Sequence, residues 1–65
     1  MLKTAEFAKL CHTTKDTLIF YDRLGVFRPA FVDNKKYRYY EARQAVQFTF
    51  LSHLRDIGFS LEEIK

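Results

Sequence analysis

Apolar and polar positions follow two rhythms along the chain, one of period 3.6 and one extended. Phe7, Ala8 and Cys11 recur at i, i+1 and i+4, the spacing that gathers side chains on one face of a helix. After a break around His12, Leu18 and Tyr21 fall three apart on one face, while Lys15, Thr17 and Phe20 point elsewhere. From Val26 to Val32 the chain is short and apolar, and Pro29 forbids helix there. Tyr37-Arg38-Tyr39-Tyr40 then has strong β propensity, and Asp33-Asn34-Lys35-Lys36 between the two runs reads as a turn. Helical spacing resumes with Ala45, Phe48, Leu51, Leu54 and Ile57 near one stripe, which Val46 and Phe50 are expected to widen. The pattern predicts a mostly α fold with a small β-hairpin.

End signals set the boundaries. Thr4 is the expected cap of a first helix that runs to Leu10 or Cys11, after a lead-in at Met1 to Lys3. Glu6 and Lys9, three apart on its exposed side, are placed to pair. Thr14 is the expected N-cap of a second helix from about Lys15 to Leu24, and Gly25 its left-handed stop. Ala8 supplies the small side chain that two steeply crossing helices need, and His12, in the turn, is expected at positive φ. The hairpin must lean on the helices through Phe27, Val32 and one of the tyrosines, because a two-stranded ribbon is marginal alone. Ser60 with Glu63 has the form of a capping box, so a fourth helix should start there. A helix with barely one turn before Lys65 is not a sensible natural end, so the chain is expected to be a fragment or to have a remainder that is not seen here.

Length and composition narrow the class. Sixty-five residues make one domain near the lower limit for an unstapled core, and seven Phe with four Tyr enrich that core. The lone Cys11 forms no internal disulfide and reads as inert packing. With no leader and no membrane run, the chain reads as cytoplasmic. His12 and His53 lie far apart without a ligand cluster, so no metal or other cofactor is expected in this segment. No nucleophile and base, paired carboxylates or Gly-rich phosphate loop stands at a useful spacing, which argues against an enzyme. Charge is uneven: residues 1–40 hold eight Lys or Arg against four Asp or Glu, a balance of +4, and residues 41–65 hold three against four, a balance of −1.

A helix, a tight turn and a second helix with an outward polar face form a helix-turn-helix, and the basic half coincides with it. Lys35, Lys36 and Arg38 on the adjoining hairpin add the wing of a winged helix, which touches the sugar-phosphate backbone or the minor groove of DNA. A basic half can also be only a solvated surface, and Arg23 near a helix C-terminus is favourable with the dipole as well as with phosphate.

The blocks TLIFYDRLGVFRP, KYRYY and LRDIGFSLEEI, in this order, resemble the N-terminal DNA-binding domain of the MerR family of bacterial transcription regulators. The likeness spans nearly the whole chain. It implies a winged helix-turn-helix with the helix-turn-helix at about 4–24, the wing at about 26–40, a third helix at about 42–57 and a fourth from 60. It also implies a homodimer built through a C-terminal helix absent here, binding to pseudo-palindromic double-stranded promoter DNA, and distortion of the promoter spacer for RNA polymerase in response to an effector. A nucleoid-associated bacterial protein with no membrane partner follows. Carried onto this chain, the family pattern puts Thr14, Lys15, Asp16 and Thr17 at the start of the reading helix, with Phe20, Tyr21 and Arg23 further along, and Lys35, Lys36, Tyr37 and Arg38 in the wing. Lys15 is expected at a base edge or phosphate, Asp16 at a cytosine amine or simply at the helix N-terminus, and Tyr21 and Arg23 at phosphates. Three positions depart from the pattern: Ile19 stands where Arg is frequent, Phe20 where Tyr is frequent, and Lys36 where Gly is usual. Two other readings compete: an architectural DNA-bending protein resembling phage excisionases, and a protein-interaction module using exposed Phe and Tyr. The whole reading needs Lys15 and the hairpin cations on one outward surface.

Overall fold

In the computed structural model, which describes all 65 residues, the two rhythms become four helices and a three-stranded antiparallel sheet. The elements are β1 (Leu2–Lys3), α1 (Thr4–Leu10), α2 (Lys15–Leu24), β2 (Phe31–Val32), β3 (Arg38–Tyr40), α3 (Gln44–Asp56) and α4 (Leu61–Ile64). The order across the sheet is β1-β3-β2, with Leu2 opposite Tyr40, Lys3 opposite Tyr39 and Val32 opposite Arg38. The arrangement is a winged helix-turn-helix.

Three helices end in the same way. Thr13 N donates to Ala8 O at 2.9 Å and His12 N to Lys9 O at 3.2 Å, the paired bonds of a Schellman ending with His12 as its left-handed residue at φ 55°. Gly25, at φ 75°, closes α2 with the equivalent pair, Gly25 N to Asp22 O and Val26 N to Tyr21 O. Gly58 does so after α3, through Gly58 N to Arg55 O and Phe59 N to Leu54 O. Two of these sites have the glycine that the conformation favours; the first bears a side chain. Thr14 caps α2 as expected, its hydroxyl accepting from Thr17 N at 3.1 Å.

The core is an aromatic stack. Phe7 lies 4.6 Å from Tyr40, centroid to centroid and nearly parallel, and Phe27 stacks on both. Phe48 of α3 meets Phe27 edge-on at 5.5 Å and reaches Tyr21, with Ala8, Leu18 and Leu51 filling the rest. Such aromatic pairs contribute about 0.5–1.5 kcal/mol each beyond their area. This matters in so small a chain.

Five expectations need correcting. Met1 to Lys3 is no mere lead-in: Leu2 and Lys3 form β1, which makes β3 the central strand and ties the wing to the start of α1. Thr4 is not the cap of α1. Lys3 occupies that place, its amide donating to Glu6 Oε1 at 2.8 Å, while Thr4 is buried and donates from its hydroxyl to Arg38 O at 3.3 Å. Glu6 therefore serves the helix end and forms no ion pair with Lys9. Val32 does not hold the hairpin down; it is exposed, and Phe27 and Tyr40 do that work. Finally, α3 starts at Gln44, and its buried stripe is narrower than expected: Val46 is 77% exposed, Phe50 64% and Ile57 73%. At about 100° per residue these three lie roughly opposite Phe48, so one face cannot bury both sets.

Candidate nucleic-acid interface

The wing is organised by one carboxylate. Asp33 Oδ1 accepts from the amides of Lys35 and Tyr37, both at 2.9 Å, and Oδ2 accepts from Tyr39 Oη at 3.0 Å. Asp33 N donates to Tyr37 O and Lys36 N to Asp33 O, closing the loop. These bonds, led by that from the Tyr37 amide, hold the Asp33 carboxyl below its ordinary pKa, and the same carboxylate holds the Tyr39 phenol above its own. Lys36 takes φ 68° at the tip, the left-handed conformation for which glycine is the usual choice. The turn thus carries a cation where the backbone prefers no side chain.

Lys15 at the first turn of α2 and the wing cations Lys36 and Arg38 line one cleft of about 430 Å³. Lys3 of β1 joins them, Tyr37 forms part of the wall, and Ile19 lies on the α2 side. Four cations from three elements therefore surround one concavity, the arrangement that favours a polyanion. Lys3 was not among the expected contacts. Its strand pairing with Tyr39 brings it there, and no local sequence signal announces that pairing.

Arg38 is held from two sides. Its Nε donates to Asp22 Oδ2 of α2 at 2.7 Å, and its carbonyl accepts from Thr4 of α1. The pair is only partly shielded, the side chains being 25% and 19% exposed. The sequence reading missed Asp22, since its partner lies 16 residues away on another element.

The other expected residues are distributed as follows. Thr14 and Thr17 engage each other, their hydroxyls 2.8 Å apart. Asp16, Phe20 (51% exposed) and Arg23 are exposed on α2 outside the cleft, and Lys35 is exposed on the wing beside Asp33 and Asn34. Tyr21 is a correction. Its ring is 6% exposed within the core, and its hydroxyl accepts from Arg55 Nη1 at 2.8 Å, so it is not displayed for a phosphate. The cause is helical spacing: Tyr21 shares the inner face with Leu18. Cys11 packs half-buried against the core, where burial raises its thiol pKa.

Comparison with known proteins agrees with this geometry. Residues 2–65 match the family model described as MerR HTH family regulatory protein. The multidrug-efflux transporter 2 regulator of Bacillus subtilis is 42% identical over 62 residues, covering 95% of this chain and 23% of the relative. Among solved structures, the EcmrR–DNA complex in EcmrR-RPo, determined by cryo-EM, aligns with a TM-score of 0.91 at 33% identity, covering 95% of this chain and 24% of that one. The crystal structure of HiNmlR, a MerR family regulator lacking the sensor domain, bound to promoter DNA, aligns with a TM-score of 0.87 at 28% identity, covering 98% of this chain and 51% of that one. The chain spans less than half the length of the curated relatives it matches.

Proposed function

Given that this chain belongs to the MerR HTH family of regulatory proteins, we propose that residues 1–65 are the DNA-contacting unit of a transcriptional regulator that engages double-stranded promoter DNA as a homodimer. The observation that carries this reading is the common cleft of Lys15, Lys36 and Arg38. A ridge of duplex backbone set between α2 and the wing meets cations on both sides, while the start of α2 projects Thr14, Lys15, Asp16 and Thr17 toward base edges. Lys15, Lys35, Lys36, Arg23 and Arg38 neutralise phosphates. Phe20 packs on deoxyribose or a thymine methyl, and Tyr37 adds an exposed phenol from the wing.

The partner relations follow from the family. The open face of α3 around Val46, Phe50 and Ile57 supports an apolar contact with other protein, in keeping with a homodimer. Distortion of a promoter spacer in response to an effector, with RNA polymerase as the beneficiary, belongs to the same reading, as do a cytoplasmic location and a non-enzymatic role. No helix is long and apolar enough to cross a membrane. The named relatives are regulators, which favours this reading over an excisionase-like architectural role.

The test is binding to a duplex from the region upstream of its own coding sequence, set against a scrambled duplex, with end-to-end fluorescence transfer on the same DNA. Preferential, salt-dependent binding that shortens the end-to-end distance is expected. Equal binding to both duplexes, or none, overturns the proposal.

A further inference from the structure

We propose that Asp22 is a positioning residue for DNA binding: it fixes the Arg38 guanidinium by its Nε edge so that the opposite edge is presented to the cleft. The inference rests on the reading of residues 1–65 as a DNA-contacting unit and adds a residue that carries the same charge sign as the ligand. A guanidinium has two usable edges, one bearing Nε and the other the outer pair of N–H groups. Asp22 Oδ2 takes the first at 2.7 Å, and neither Nη makes a hydrogen bond within the protein. Arg38 is also one of the residues that line the cleft.

The neighbours explain why the orientation is fixed. The Arg38 main chain sits in the central strand, and its carbonyl accepts from the Thr4 hydroxyl, so the backbone is tied to α1. The side chain is tied to α2 through Asp22 alone. Asp22 makes no second side-chain hydrogen bond, and the buried Tyr40 hydroxyl bonds to nothing. One ion pair therefore sets the direction of the wing's guanidinium relative to the reading helix. A lysine at 38 could not do both jobs, because an ammonium given to Asp22 has no second flat edge for a phosphate.

The sign of one substitution separates this from simple electrostatics. Asp22→Asn removes a negative charge beside a surface that meets a polyanion. Charge alone then predicts tighter binding, whereas positioning predicts weaker binding. Anisotropy titrations over a salt series, on a labelled duplex from the upstream region, should show Asp22→Asn about three- to tenfold weaker, with the salt slope flatter by about one unit as the Arg38 contact is lost. Asp22→Glu should recover part of the loss, and Arg38→Lys should bind as weakly as Arg38→Ala. In the Arg38→Ala background, Asp22→Asn should cost nothing further. Thermal melts confirm that each variant is folded; should Asp22→Asn fail to fold, the comparison of Arg38→Lys with Arg38→Ala decides. Binding by Asp22→Asn as tight as the unsubstituted protein or tighter, an equal loss in the Arg38→Ala background, or full affinity in Arg38→Lys overturns the proposal. Absence of salt-dependent binding by the unsubstituted protein would instead overturn the DNA reading beneath it, which is a distinguishable result.

Discussion

Arg55 of α3 donates from Nη1 to the hydroxyl of Tyr21 on α2 at 2.8 Å, fastening the reading helix to the helix behind it. Tyr21→Phe keeps the buried ring and removes the acceptor. It should lower stability by about 1 kcal/mol in urea unfolding, the usual worth of such a bond, and change DNA affinity only slightly. Tyr21→Ala also removes the ring from Phe48 and should cost about 3–5 kcal/mol, enough to unfold so small a domain. A large affinity loss in well-folded Tyr21→Phe would return the hydroxyl to the binding surface.

Tyr40 is the opposite case, a buried hydroxyl with no partner. Burial, with the Asp22 charge adding to it, pushes its pKa up to about 12 from an ordinary 10.0. The folded protein therefore holds a proton that the unfolded chain releases first. That contribution is whole below about pH 10 and is lost as pH rises toward 12, by about 2–3 kcal/mol in all. Tyr39, shifted the same way by its bond to Asp33, adds to the decline. Tyr40→Phe should leave stability at neutral pH equal to or up to about 1 kcal/mol above that of the unsubstituted protein, and remove the larger part of the alkaline loss. Unfolding curves at pH 7 through 12 check both statements.

His12 and Lys36 hold left-handed backbone without being glycine. His12→Gly should stabilise the fold by about 0.5–1 kcal/mol, since relief of the backbone cost exceeds the added freedom of the unfolded chain. DNA affinity should not fall. Lys36→Gly should give a similar gain in stability but a loss in affinity, because the same substitution removes a cleft cation. Thermal melts paired with anisotropy titrations separate the two effects.

Asp33→Ala should loosen the wing while leaving the helices intact. The carboxylate's three bonds are lost together, so amides 35 and 37 should exchange faster with solvent, and DNA affinity should fall although a negative charge has been removed. The depressed carboxyl pKa gives the matching acid limb: the contribution is present above the unfolded value and is lost as pH falls through the folded one. Hydrogen exchange across the wing, followed in the native protein and the variant, checks this.

Local chemistry was readable in the letters. The left-handed turn at His12, the Thr14 cap and the Gly25 stop each rest on residues within a few positions of one another, and the structure has all three. What escaped was long-range. The pairing of β1 with β3, the Thr4 bond to Arg38 and the Asp22 and Arg55 attachments join residues 16 or more apart, where neither period nor propensity gives a signal. The breadth of the α3 stripe was misjudged for a different reason: Val46 and Phe50 are as apolar as Phe48, and only their angular position sends them outward. Tyr21 could have been assigned inward from its spacing to Leu18.

The most direct measurement is the salt dependence of duplex binding by Lys15→Ala, Lys36→Ala and the double variant, with Lys9→Ala, on the outer side of α1, as control. If both lysines meet the same phosphate backbone across the cleft, each single substitution should flatten the slope by about one unit and the pair by about two, with Lys9→Ala unchanged. Slopes that stay with the unsubstituted protein in all three cleft variants would contradict a shared DNA-facing surface.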